Sequence, residues 1–190
     1  MRKQQLVNMR NHPLVFFDIE TTGIIPEQHE IIELAYVVAD QHTLRILKEK
    51  SLQVQVKHLE TADPFALSII QYEKRDWSDA MPLRQALAQF LEDANDGLLI
   101  GHNISFDWAF LRRALSSEGL EDTLHYHRLD IMSMAFLVLH DVPELKKFSL
   151  KELTTYFHVP LNKEHEALSD AHATLAVYKK LREMTPKSTS

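Results

Sequence analysis

Five side chains suited to one reaction sit in three short, separated stretches. Asp18 and Glu20 lie in FFDIETTG, Asp107 in GHNISFDWAFL, and His165 with Asp170 in HEALSDAHAT. Carboxylates are hard oxygen ligands for divalent cations, and histidine is the side chain that exchanges a proton near neutral pH. Four carboxylates and a histidine are what hydrolysis of a phosphodiester by two metal ions requires. Whether they meet depends on the elements that carry them.

Leu14 to Ile19 is an apolar run interrupted only by Asp18, the pattern of a strand covered on both faces and central in its sheet. An acid is out of place there. Side chains two apart on a strand project to the same side, so Asp18 and Glu20 can share a cation. Without one, two buried carboxylates would repel each other and hold on to a proton. Read alone, the same residues also fit a strand that simply ends in polar groups. Thr21, Thr22 and Gly23 follow directly, adding two hydroxyls and a residue that lets backbone approach a ligand closely.

The second stretch reads as a short buried strand over 97–100, a loop at Gly101 to Asn103, and a helix capped by Ser105. Asp107 then falls in the first helical turn, where the helix dipole favours a carboxylate, at the head of an inward face continued by Phe110, Leu111 and Ala114. Asn103 can fix the loop, and Phe106 is read as an exposed aromatic able to stack on a sugar or base. In the third stretch a helix from about Ala167 to about Arg182 again has an acid, Asp170, at the head of its apolar stripe, with His165 in the preceding loop. Taken singly, an acid in a first turn is also an ordinary helix terminus, and a histidine among acids is also an ordinary surface residue.

Together, FDIETTG, GHNISFD and H-x-A-L-x-D-A resemble, in order and separation, the three motifs of the DEDDh-type 3′–5′ exonucleases, the DnaQ-like superfamily of the proofreading epsilon subunit. The resemblance runs from roughly Leu14 to Leu181. It implies a ribonuclease-H-like fold and two divalent ions, Mg²⁺ or Mn²⁺, held by Asp18, Glu20, Asp107 and Asp170. It implies His165 as the general base, a task that suits an imidazole of ordinary pKa about 6.5. It also sets Thr21, Thr22, Gly23, Ile24, Asn103 and Phe106 around the terminal nucleotide, Ile24 as a wedge against the last base. Asp130 is expected to support the site from behind. An adaptor that had lost catalysis would lack ligands, and none is missing.

The chain has 190 residues, a net charge of −6 and no cysteine, which excludes disulfides and thiolate metal sites and is compatible with the cytosol. Strands are predicted at 14–20, 31–39, 44–56, 97–100 and near 126–129. Helices are predicted near 64–70 and at 82–94, 105–117, 131–140, 149–157 and 167–182. Three successive strands followed by alternating helices and strands give an α/β fold, a mixed five-stranded sheet flanked by helices. The expected domain is 14–182, with an N-terminal extension over 1–13 and a mobile tail over 183–190. No signal peptide or membrane span is expected. Lys146, Lys147 and Lys151, beside Phe148, could guide a phosphate backbone or form a solvated helix face. His125 and His127 are expected on a partly exposed strand.

Three readings of the function follow. The first is an enzyme trimming single-stranded or frayed 3′ ends of DNA to nucleoside monophosphates. The second is a proofreading subunit docked to a DNA polymerase, disfavoured because only Arg182 to Ser190 follow Leu181. The third is an RNA-trimming exonuclease, since contacts to a 2′-hydroxyl cannot be located from sequence.

Overall fold

The structure, a computed structural model, describes residues 8–160 and 166–185. Among these, five strands form one sheet in the order β3-β2-β1-β4-β5. They are β1 (Leu14–Thr21), β2 (Ile31–Ala39), β3 (Ile46–Gln53), β4 (Leu98–Gly101) and β5 (Arg128–Asp130). β1, β2 and β3 are antiparallel in succession, whereas β4 runs parallel to β1 and β5 parallel to β4. The helices are α1 (Pro64–Ile69), α2 (Leu83–Asp93), α3 (Ile104–Ser117), α4 (Ile131–Leu139), α5 (Leu150–Tyr156) and α6 (Ala167–Met184).

The apolar run of β1 is apolar because both faces are covered. Val15, Phe17 and Ile19 join the core beneath α2 and α3, and Leu14 and Phe16 join the core beneath α4, α5 and α6. β2 is buried along its whole length, while β3, at the sheet edge, is exposed at Lys48 and Glu49, a charged edge that discourages further strand pairing. Alternation puts Asp18 and Glu20 on the Phe16 face, the one crossed by α6.

Several boundaries differ from the sequence expectation for local reasons. β3 starts later than residue 44 because Asp40 Oδ1 accepts hydrogen bonds from Thr43 N and Thr43 Oγ1, closing a turn in which Leu44 has φ 56°. It ends earlier than residue 56 because Val54 leaves it for a bridge to Met81. Ser105 does not cap α3. The helix begins at Ile104 after Asn103, whose backbone is left-handed at φ 59° and whose side chain makes no capping bond. His125 is not on a strand: it is buried, its ring 4.5 Å from that of His12, and β5 begins only at Arg128. Phe148 is likewise buried, packed edge-on against Phe136, so it is no exposed partner for the neighbouring lysines. Among the described residues no helix is long and apolar enough to cross a membrane.

Candidate active site

Three of the four acids meet where β1 leaves the core. Carboxylate oxygens of Asp18, Glu20 and Asp170 lie within 4.8 Å of one another. Strand alternation places the first two, and α6 crossing the same sheet face brings its first turn, with Asp170, over them. Asp107 arrives from the first turn of α3. It is buried, and its Oδ1 accepts a hydrogen bond from Ile19 N at 3.3 Å, the amide between the two β1 acids. Gly101 lets this loop pass close to β1: a Cβ there would stand 3.2 Å from Phe17 O and 2.6 Å from Ile104 Cδ1.

The electrostatics of this group favour protons or a cation over free carboxylates. Burial, with the charges of Asp107, Asp170, Glu20 and Glu33, holds the Asp18 carboxyl well above its ordinary value. Glu20 is pushed up to about 8 by burial and then by Asp170 and Glu33, against the opposing pull of Arg75. Asp107 is pushed up to about 8 by burial, although its own amide and that of Ile19 oppose the shift. Carboxyls so crowded either keep protons or share a metal ion. An all-oxygen, multiply anionic donor set suits a hard divalent cation.

Sequence reasoning overlooked a fifth acid. Glu33 pairs with Glu20 across β1 and β2 and is 2% exposed. Its charge is answered on both sides: Arg75 Nη2 lies 2.5 Å from Oε2, and Ser51 Oγ donates to Oε1. Arg75 is itself held against Trp77, its guanidinium 4.8 Å from the ring centre. The signal was present, because an acid within the apolar run IIELAYVVA is the same anomaly that marked Asp18. Arg75 had none, being one charged residue in a polar connection.

The loop after β1 is built to hold its shape. Thr22 is fully buried; its backbone N donates to Glu30 O at 2.9 Å and its Oγ1 accepts from Glu30 N at 2.8 Å. Thr21 Oγ1 donates to Gly23 O at 2.7 Å. Gly23 is needed for space, since a Cβ there would come within 2.5 Å of the His29 ring, whose Nδ1 accepts from Ile25 N. Both hydroxyls thus serve the loop. The product of this bracing is Ile24, 73% exposed on a rigid turn.

On the other side Phe106 is half-buried, not exposed, its ring 5.1 Å from that of Phe110. Asn103 is exposed. Its backbone N donates to Asp130 Oδ1 at 2.8 Å, and that carboxylate also caps α4 through Met132 N and accepts from Ser133 Oγ. His102 Nε2 donates to Phe148 O at 2.8 Å, tying the same loop to the segment before α5. Lys146, Lys147 and Lys151 are exposed there. His165 lies outside the described residues; Glu166, next in the chain, precedes α6, and its carbonyl accepts from Asp170 N.

Comparison with known proteins agrees with this arrangement. The model of the Exonuclease family matches residues 15–178. The PolC-type DNA polymerase III of Caldanaerobacter subterraneus is 30% identical over 180 residues, 93% of this chain and 12% of that protein. That of Listeria innocua is 32% identical over 158 residues, 83% of this chain and 10% of the relative. This chain therefore spans only about a tenth of these relatives. Escherichia coli exonuclease I in complex with a dA16 oligonucleotide superposes with a TM-score of 0.75 at 18% identity, over 90% of this chain and 41% of that one. The zinc-bound form of its complex with single-stranded DNA gives 0.79 at 18%, over 93% and 41%. Exonuclease I of Methylocaldum szegediense gives 0.72 at 21%, over 93% and 41%. Since the family match begins on the strand that carries Asp18 and Glu20 and runs through the helix that carries Asp170, the chain belongs to the Exonuclease family, as a DnaQ-like 3′–5′ exonuclease domain.

Proposed function

We propose that this domain removes nucleoside monophosphates from the 3′ end of single-stranded or frayed DNA. Asp18, Glu20, Asp107 and Asp170 would hold two divalent ions, Mg²⁺ or Mn²⁺. When bound, the ions supply charge stabilisation for the attacking and leaving oxygens. The chain's own residues do the rest. Asp107, fixed by the Ile19 amide, keeps its carboxylate turned to the β1 acids. His165 takes the proton from the attacking water at a ring nitrogen. Ile24 wedges beneath the last base and Phe106 flanks the terminal nucleotide, while Thr21, Thr22 and Gly23 set the height of the wedge and Asn103, anchored on Asp130, closes the other side. The observation that carries this reading is the convergence of Asp18, Glu20 and Asp170 within 4.8 Å, a crowding that a shared cation would relieve.

The test is incubation with 5′-labelled single-stranded DNA and RNA of one sequence, with Mg²⁺ or Mn²⁺ and with chelator, beside Asp18→Ala. A metal-dependent ladder shortening from the 3′ end and lost in the variant supports the reading. Faster RNA trimming would shift the substrate class, and no degradation of either strand would overturn the free-standing enzyme. A second reading, a domain serving a DNA polymerase, draws on the PolC-type relatives. It expects stable co-elution with a polymerase subunit.

A further inference from the structure

A groove of about 670 Å³ follows the outer surface of α3, the helix whose first turn carries Asp107. Its floor is one helical stripe, Ser105, Trp108, Arg112 and Ser116, at spacings of three and four residues that align along a single face. Pro26, two residues beyond the exposed Ile24, forms part of the opposite wall. At one end Ser105 belongs to the first turn of α3, which also carries Phe106 and Asp107, and the opposite wall belongs to the loop that carries Ile24. From Ser105 to Ser116 the stripe extends about 16 Å at 1.5 Å per residue.

Its chemistry departs from the rest of the chain. The protein carries a net charge of −6, yet the groove holds two arginines, Arg112 and Arg113, against the single acid Glu27. Arg113 is committed in part, its Nη2 donating to Glu27 O at 3.2 Å and holding the two walls together. Arg112 is exposed, and among the described residues no carboxylate or carbonyl engages its guanidinium. Trp108 is half-buried, with the guanidinium of Arg128 3.8 Å from its ring centre, and its remaining surface lines the groove. A basic track interleaved with an aromatic ring and hydroxyls is the composition that holds single-stranded nucleic acid without reading its sequence.

We infer that this groove binds the substrate strand 5′ of the terminal nucleotide, Arg112 meeting a backbone phosphate, Trp108 offering a surface to a base, and Ser105 and Ser116 donating to phosphate or sugar oxygens. The inference rests on the exonuclease reading above and adds to it a footprint. At about 3.4 Å per stacked nucleotide, and about 6 Å where the strand is extended, a 16 Å track takes about three to five nucleotides. A strand shorter than that leaves the track partly empty.

The experiment separates the groove from the chemistry by substrate length. Thymidine 5′-monophosphate p-nitrophenyl ester fills only the terminal site, whereas dT2, dT4 and dT8 reach progressively along α3. In the wild type with Mn²⁺, KM falls from dT2 to about dT4 or dT5 and then levels. Arg112→Glu raises KM for dT8 about five- to tenfold and leaves kcat and KM for the ester unchanged. Arg112→Ala reduces the slope of log KM for dT8 against log salt by about 0.7, the signature of one lost phosphate contact on a single strand. If the ester is hydrolysed and neither variant alters KM or salt slope for dT8, the groove assignment is overturned while the exonuclease reading stands. If the wild type hydrolyses neither ester nor oligonucleotide, the exonuclease reading fails and takes this one with it.

Discussion

The crowding of acids at the end of β1 predicts that the metal-free protein is destabilised by its own active site, and that Glu20 accounts for a measurable part. Glu20 moves from an ordinary 4.5 to about 8 on folding, chiefly through burial and then through Asp170 and Glu33. Between those values the folded protein retains a proton that the unfolded chain has released, so stability falls as pH rises and the loss is complete above about 8. At about 1.4 kcal/mol per pH unit the full effect is on the order of 5 kcal/mol. For a domain of this size that corresponds to a Tm difference of about 10–20 °C. Other groups titrate nearby and must be separated. Asp93, which hydrogen bonds from Lys48, Lys50 and Tyr36 hold below the usual carboxylate range against the opposing effect of burial, acts below this window. His125, held below the ordinary histidine value by burial and by the neighbouring His12 and His127, makes stability rise with pH inside it. The informative quantity is therefore the difference between wild type and Glu20→Gln, which share those groups. Thermal unfolding followed by circular dichroism in chelator from pH 5 to 8.5 should show the variant increasingly more stable than wild type as pH rises. Saturating Mn²⁺ should restore the wild type and help the variant less. Parallel loss of Tm in the two proteins across this range would refute the electrostatic account.

Three further outcomes are expected. Removing Arg75 leaves Glu33 buried and uncompensated, so Arg75→Met should lower stability by about 3 kcal/mol, about 6–12 °C in Tm, and adding Glu33→Gln should recover most of it. A single variant that unfolds like the wild type would show that the pair carries no such burden. Because Asp18, Glu20 and Asp107 are all held above the usual carboxylate range, binding of Mn²⁺ at pH 7 should release at least about two protons. Calorimetry in buffers of different ionisation enthalpy measures this, and a buffer-independent heat would contradict the raised carboxyls. His165→Gln should lower kcat by about 10²- to 10⁴-fold while retaining the Tm gain on Mn²⁺ binding; loss of that gain would make His165 a ligand and not a base.

What was legible from sequence was whatever depends on near neighbours. The two-sided apolar runs of β1 and β2, the period of α3 and α6, and the alternation that puts Asp18 and Glu20 on one side are set by burial within a few residues. Element ends were less legible where a side chain competes for the backbone. Asp40 closes the turn before β3, and Asn103 enters the left-handed region so that α3 can start one residue before Ser105. His125, expected on a partly exposed strand, is buried off the sheet, its backbone fastened to Gly97 and its ring packed on His12, distant in sequence.

Convergence is another matter. The residue types and order by themselves determined that the chain carries carboxylates suited to a divalent cation and the sheet-and-helix pattern to hold them. Only the tertiary structure decided how they meet: α6 crosses β1 with Asp170 over the two strand acids, and Asp107 reaches them through the Ile19 amide. It also brought Glu33 opposite Glu20 and Arg75 onto Glu33, a pairing set by the register of β1 on β2 and by a connection whose sequence has no period to read. Local pattern reports which face of its own element a side chain takes, whereas the charge it will face across the sheet depends on register and helix crossing, and those are fixed by the packing of the whole core.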